Sequence, residues 1–334
     1  MKKVIFVIFI AMMLSGCGKQ ERNTSYLDVF DTFSTLTMYT SSQEEFTNIS
    51  DELHSELIKL NRLFDIYNDY EGINNIKTIN DNAGITPVKV DKEIIDLLKA
   101  GKEAYEKTNG TVNIAMGSVL EIWHSYRENA LDNGIYAIPS VEELTEAANH
   151  TDINSIVIDE SNSTVFITDE NTSIDVGAIA KGYAADYAAQ FLREKNIGSA
   201  LLNLGGNVIC LNDSTKESWT IGVTSPDDTE EYIDKVALKN KSAVSSGNYQ
   251  RYYEYNGKRY HHIIDGKTLF PSESNSGVTI VSDSSLEGDI FSTALFILPY
   301  EEGIKLAEEN NIEALWVTTD GNVYKTQNFD NSTN

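Results

Sequence analysis

Only two cysteines stand in 334 residues, which excludes a disulfide framework, and prolines number just five. Basic residues are scarce as well: 26 Lys and Arg stand against 51 Asp and Glu, a formal net charge of −25. A body this acidic is repelled by phosphate backbones, which argues against a nucleic-acid partner. The apolar run Val4 to Leu14 is about half of the roughly 20 residues that span a bilayer. No internal repeat or low-complexity block is visible. What is present is 41% hydrophobic residues with 10% aromatics, enough to bury a core, so general disorder is excluded. The length suits one large domain or two intimately packed ones.

The start of the chain reads as an address. Lys2 and Lys3 precede the short apolar run, and Leu14-Ser15-Gly16-Cys17 follows it. That combination is a secretory signal peptide over residues 1–16. The Leu-Ser-Gly-Cys ending resembles a bacterial lipobox, whose cysteine is lipidated and becomes the new N-terminus; a plain signal peptide with an adventitious cysteine is the alternative. With Cys17 carrying lipid, Cys210 is the single thiol left, an inert one in the apolar stretch Val208-Ile209-Cys210. Residues 18–25 are polar and predict a flexible tether, so 17–25 is a lipidated cysteine and leash. The folded domain is expected over 26–327, on the extracytoplasmic face of the membrane, with a frayed tail at 328–334.

Between those ends, helical and strand periodicities interleave. Phe33 to Thr40 predicts a strand, and Phe46, Ile49, Leu53, Leu57, Leu60 and Phe64 mark an amphipathic helix. A helix is predicted after Asp91, closing at the Asn109-Gly110 turn, and another behind the capping pattern of Ser140 and Glu143. Two strands flank Glu160-Ser161-Asn162, and a Gly- and Ala-rich helix runs from about Ile179 to Lys195, ended by Gly198. Short strands follow at Leu201–Leu211, Trp219–Val223, Lys235–Leu238, Arg251–Tyr255, Arg259–Ile264 and Val278–Val281. Helices near Leu286–Leu298 and Glu301–Asn310 precede a hairpin turning at Asp320-Gly321. Strand pairs joined by tight turns favour an α+β fold of mixed, largely antiparallel sheets with packed helices over a doubly wound parallel sheet.

Four segments carry chemistry. In Asp175-Val176-Gly177-Ala178-Ile179-Ala180-Lys181-Gly182-Tyr183 a strand ends in an acid, and small residues lead into a helix. Free N–H groups at a helix start bind anions, and Lys181 adds positive charge there. Neither a Walker A loop nor a GxGxxG fingerprint is present, and a plain small-residue helix contact is the competing explanation. Asn203-Leu204-Gly205-Gly206-Asn207 reads by itself as a tight bend in a sheet. In His261-His262-Ile263-Ile264-Asp265 the adjacent histidines point to opposite faces, one to a cleft and one to core or solvent. Asp289 and Thr293 are i and i+4 on a predicted helix, two hard oxygen donors of the kind Mg²⁺ accepts, or else a solvated pair. The largely apolar surroundings of that helix make an unpaired carboxylate costly.

Together with Ser246-Gly247-Asn248-Tyr249 and Leu63-Phe64-Asp65-Ile66-Tyr67, these segments resemble the ApbE family of FAD:protein FMN transferases, over essentially the whole chain beyond the signal. The resemblance implies an ApbE-like, T-fold-like single compact unit. It also implies cleavage of the FAD pyrophosphate, attachment of FMN to a Thr or Ser hydroxyl of an exported or membrane-bound redox protein, and release of AMP. By the same resemblance Mg²⁺ is held by the Ala178 carbonyl, Asp289 and Thr293. Tyr67, Val112, Asn113, Ile114, Asp175, Lys181 and Ile263 would contact FAD, and His262 would help activate the acceptor hydroxyl. The sequence departs from the family pattern at Ala178, where many relatives have Gly, and at Gly266 in place of a usual Pro. It departs again at Phe30-Asp31-Thr32, in place of Met-Gly-Thr, and at Asn113-Ile114-Ala115. The same residues also admit a hydrolase that yields FMN and AMP, or a lipoprotein that only carries FAD. A solute-binding lipoprotein would need two similar lobes, and the sequence shows no such repetition.

Overall fold

The computed structural model describes residues 18–226 and 231–332. The signal segment 1–16 and Cys17 lie outside the described residues. The described chain opens on a long hairpin of β1 (Gln20–Val29) and β2 (Thr32–Thr40), turned by Phe30 and Asp31 at φ 54° and 49°. α1 (Gln43–Phe64) begins at Ser42, whose hydroxyl accepts from the Glu45 N–H, and buries the apolar stripe its spacing predicts. Then come α2 (Ile76–Asp81), β3 (Val88–Lys89), α3 (Lys92–Lys107), α4 (Gly117–Asn133) and α5 (Val141–Ala148). The hairpin of β4 (Ile156–Asp159) and β5 (Thr164–Ile167) leads to α6 (Ala180–Glu194). Strands β6 (Ala200–Leu204), β7 (Asn207–Leu211), β8 (Trp219–Thr224), β9 (Tyr232–Leu238) and β10 (Ser242–Gly247) follow. After β11 (Tyr252–Tyr255), β12 (Lys258–His261) and β13 (Asn275–Ser282) come α7 (Ser285–Ile297) and α8 (Tyr300–Glu309). The chain closes with β14 (Glu313–Thr318), β15 (Val323–Lys325) and α9 (Phe329–Ser332).

Eight strands make the main sheet in the order β1-β2-β6-β7-β10-β13-β14-β15, and each neighbouring pair is antiparallel. α1, α6 and α7 cover one face, where Leu36, Met38, Leu204, Ile209 and Ile280 join the large core. The β8–β9 ribbon covers part of the other face, packing Trp219, Val236 and Leu238 on Cys210, Val281 and Leu315. A third cluster joins Met116, Val119 and Trp123 of the α4 region to Tyr253 and Tyr260 of the β11–β12 hairpin. The fold is therefore the antiparallel α+β type that the turn chemistry predicts. Among the described residues no helix is long and apolar enough to cross a membrane.

Several expectations need correction. The tether expected over 18–25 is strand from Gln20 onward, hydrogen-bonded along β2, with Arg22 Nη1 donating to the Thr40 carbonyl at 2.8 Å. Its residues before Tyr26 are polar on both faces, so apolar alternation gives no sign of it. The stretch Leu201–Leu211 is two strands, with Gly205 and Gly206 at φ 55° and 99° forming the turn between them. α2 and α4 have no counterpart in the sequence pattern: α2 is six residues long, and the apolar residues of α4 (Val119, Leu120, Ile122, Trp123, Tyr126, Leu131) spread around its axis and give a weak stripe. Asn196, at φ 61°, terminates α6 in place of Gly198. Of the tail expected to fray over 328–334, the described part forms α9 with Phe329 fully buried in the second cluster, and 333–334 lie outside the described residues.

Candidate active site

α6 and α7 meet where a side chain would not fit. A Cβ on Gly182, in the first turn of α6, would lie 2.6 Å from the Ser285 carbonyl oxygen and 2.7 Å from Asp289 Cβ. The missing side chain lets α7 press its Asp289 against the start of α6. Asp289 is 3% exposed; its Oδ2 accepts the Gly182 N–H at 2.8 Å and its Oδ1 lies 3.5 Å from Lys181 Nζ. The carboxylate thereby satisfies an orphan donor of the helix start and sits where the dipole favours negative charge. Because among the described residues Oδ1 has only the long Lys181 contact, it is the oxygen available to a further cation. Thr293 follows one turn later, half-buried on the same face of α7.

Ala178, just before α6, completes this wall. The Tyr183 N–H takes the Ile179 carbonyl, whereas the Gly182 N–H turns to Asp289, which leaves the Ala178 carbonyl without a main-chain donor among the described residues. One carboxylate, one hydroxyl and one free carbonyl form a set of hard oxygens that fits Mg²⁺ and leaves positions for water or phosphate. Asp175 anchors the approach to α6. Its N–H donates to the Ile114 carbonyl at 2.9 Å, and its Oδ1 accepts the Gly177 N–H at 2.7 Å. Burial pushes the Asp175 pKa up.

A second wall stands within electrostatic reach of Asp175 and Lys181. Tyr67, half exposed after α1, stacks on His124 of α4 with ring centroids 4.8 Å apart. Arg127 Nη2 lies 2.6 Å from His124 Nδ1. A guanidinium can only donate, so Nδ1 accepts and Nε2 faces Glu128 at 2.9 Å. Arg251 Nη2 donates to the Asp31 carbonyl at 3.2 Å, tying this wall to the β1–β2 turn. His262 lies just beyond β12, its N–H donating to the Arg251 carbonyl at 3.1 Å and its Nδ1 3.3 Å from the same oxygen. A carbonyl can only accept, which puts the proton on Nδ1 and leaves Nε2 with its lone pair. Burial, followed by Arg251, His261, Arg127 and Lys181, pushes the His262 pKa down to about 3, so it is neutral at physiological pH. His261 is the structural member of the pair, buried with Nε2 2.8 Å from the Ser272 carbonyl. Lys181, Arg127 and Arg251 bring three cations together in a strongly acidic chain, beside Asp175, Asp289 and Glu128.

Tyr67, Asp175, Lys181, His262 and Asp289 thus share one neighbourhood, with Ala178 and Thr293 on its helical wall. Val112, Ile114 and Ile263 are different: their side chains belong to the large core, so only their main chain remains to face a ligand. Asn113 is occupied by the Thr151 carbonyl and the Ala115 N–H. Sequence reasoning missed His124, Arg127 and Arg251. The i, i+3 pairing of His124 and Arg127 is legible only once α4 is recognised as a helix.

Fold and site together define a class of protein: an antiparallel α+β domain in which a helix start holding a buried carboxylate stands opposite a wall that carries Arg127, Arg251 and His262. The chain belongs to the ApbE family, whose family model matches residues 30–316. It is similar to the FAD:protein FMN transferase of Klebsiella pneumoniae, with 32% identity over 275 residues that cover 79% of this chain and 83% of that protein. The FAD:protein FMN transferase of Treponema pallidum is also 32% identical, over 265 residues covering 74% of this chain and 72% of its own. Among solved structures, the ApbE protein of Thermotoga maritima superposes with a TM-score of 0.85 at 27% identity, covering 94% of this chain and all of that one (100%). The fold is shared with the flavin transferase ApbE of Vibrio cholerae, at a TM-score of 0.78 and 21% identity, covering 94% of this chain and 99% of that one.

Proposed function

We propose that this protein is a Mg²⁺-dependent FAD:protein FMN transferase, anchored at Cys17 on the outer face of the cytoplasmic membrane. In this reading it attaches FMN to a Thr or Ser hydroxyl of an exported redox protein and releases AMP. The observation that carries the reading is the buried Asp289 carboxylate at the start of α6, beside Lys181 and one turn before Thr293. Burying a carboxylate costs several kcal/mol, on the order of its desolvation, unless partners await it. Here Gly182 occupies one oxygen and the other is left for a cation.

Phosphoryl transfer asks a protein mainly for charge neutralisation and alignment. Asp289 Oδ1, the Thr293 hydroxyl and the Ala178 carbonyl would hold Mg²⁺, which when bound neutralises pyrophosphate oxygens and the departing AMP. Lys181, Arg127 and Arg251 orient an anionic dinucleotide between the two walls. The acceptor oxygen forms its bond to the FMN phosphorus as the bridging P–O bond breaks, and the bridging oxygen leaves with AMP. The hydroxyl proton goes to His262 Nε2, whose lone pair is kept free by the hydrogen bond at Nδ1. A bound pyrophosphate offsets the cations that depress His262 and so makes it a better base. Tyr67 on His124 offers a flat aromatic surface for a ligand ring.

The test uses residues 18–334 with FAD, Mg²⁺ and a Thr-bearing exported redox protein. Flavin fluorescence on the acceptor band of a denaturing gel, with matching AMP and loss of both in EDTA, is the expected result. AMP and free FMN in the absence of a fluorescent band would replace transfer with hydrolysis. Tight FAD binding with no AMP would reduce the protein to a flavin carrier.

A further inference from the structure

The structured N-terminus determines where the body can stand. β1 begins at Gln20, so only Gly18 and Lys19 separate Cys17 from the sheet. Three extended residue steps reach at most about 11 Å. The leading strands then share common ends. At the base, Gln20 pairs with Thr40, Met38 with Ala200 and Ala200 with Leu211, and Lys19 Nζ lies 3.7 Å from Asp213 just past β7. At the crown, Val29 pairs with Thr32, Ser34 with Leu204 and Leu204 with Asn207. The cleft belongs to the crown, because Arg251 binds the Asp31 carbonyl of the β1–β2 turn and holds His262 through its own main chain. The ten residues of β1 put roughly 30 Å between the two ends at the ordinary strand rise.

Charge is distributed along the same axis. Lys19, Arg22, Lys195, Lys216, Lys239 and Lys241 gather toward the base, among acids that include Glu21, Glu52, Asp213 and Asp283. Lys19, Lys195 and Lys241 pair there with Asp213, Glu52 and Asp283. These cations are the ones nearest the anchored end of a strongly acidic chain, where an anionic lipid surface attracts Lys and Arg.

Building on the reading of Cys17 as lipidated, we propose that the anchor holds the protein base-down, with the cleft opening about one strand length above the bilayer. Its acceptor must then present the hydroxyl at that height, in a folded extracytoplasmic domain or loop, and not in a juxtamembrane segment. A height of roughly 30 Å also exceeds the Debye length of about 8 Å, so anionic FAD meets the cleft outside the field of the headgroups.

The orientation is tested on the lipidated full-length protein in phosphatidylethanolamine–phosphatidylglycerol vesicles that carry a short-range quencher on the headgroups. A dye is placed at the base with Ser214→Cys, in an exposed loop, or at the crown with Phe33→Cys, where the side chain is 59% exposed. Cys210 is buried and does not compete for label in the folded protein. Retained FAD binding shows that each labelled variant is folded. The base dye should be quenched several-fold more than the crown dye, and a long Gly/Ser spacer inserted after Gly18 should bring the two together. Equal quenching without the spacer, or stronger quenching at Phe33, overturns the orientation and leaves the anchor standing. A wild-type protein that fails to bind the vesicles overturns the anchor, and the orientation with it, yet leaves FMN transfer by the soluble body untouched.

Discussion

The two walls of the cleft are built differently. The α6–α7 wall is locked by packing: Gly182 admits no side chain, and Asp289 is pinned by a main-chain N–H. The facing wall takes one or two residues from each of several distant places. Tyr67 follows α1, His124 and Arg127 sit on α4, Arg251 precedes β11 and His262 follows β12. Stacking and hydrogen bonds to main-chain carbonyls hold this second wall. Under the proposed function, a wall that fixes a cation gains from rigidity, whereas one that admits FAD and then an acceptor protein gains from groups that can yield.

Breaking the rigid wall should have the largest effect. Asp289→Ala removes the only charged donor among Ala178, Asp289 and Thr293, so Mg²⁺-stimulated AMP release should be abolished. Asp289→Asn separates chemistry from folding: its amide oxygen still accepts the Gly182 N–H, so Asn should exceed Ala in stability by about 1–3 kcal/mol yet be equally inactive. Magnesium-stimulated turnover in the Asn variant would remove Asp289 from the metal site. Next in size is His262→Gln, where kcat should fall by roughly 10²–10⁴-fold with little change in FAD affinity. If single-turnover transfer by that variant matches wild type, His262 is structural. Gly182→Ala should follow, because its methyl meets the Ser285 carbonyl and must push the helices apart, at about 1–3 kcal/mol in a thermal or urea melt. An unchanged midpoint would mean that the crossing yields freely and the contrast between the walls is false.

The same contrast explains what could be read from the sequence. The locked wall is written in consecutive residues, 175–183 and 289–293, because one helix start and one helix turn need only local spacing. Their residue types, an acid before small residues and an acid with a hydroxyl four residues on, carry the chemistry in plain view. The yielding wall has no such local text. His124 and Arg127 lie on a helix whose apolar residues spread around its axis and give only a weak stripe, and Arg251 is one arginine beside a strand. β1 escaped for a related reason: its polar residues take their strand from β2, a long-range partner, and not from an apolar alternation. The resemblance places Val112, Ile114 and Ile263 against flavin, but their side chains are needed in the core, which a linear motif does not disclose.

The smallest effect, and the sharpest test of the second wall, concerns the charge next to His262. Burial is the main cause of its low pKa, and Arg251 is the largest charged one, ahead of His261, Arg127 and Lys181. Removing that cation in Arg251→Gln should raise the His262 pKa from about 3 toward, though not to, the ordinary value of 6.5. The acid limb of kcat/KM, which reports the free enzyme, should move to higher pH accordingly. Stability should follow the same sign. A histidine held neutral takes up its proton on unfolding, so acidification from about 6.5 toward 3 costs the wild type stability. Arg251→Gln should narrow that window from below. Arg127→Gln should act in the same direction but less, since it ranks behind Arg251 in its effect on His262. An acid limb that stays in place in both variants would show that the proton acceptor is not His262, and the second wall would then bind flavin without serving the transfer step.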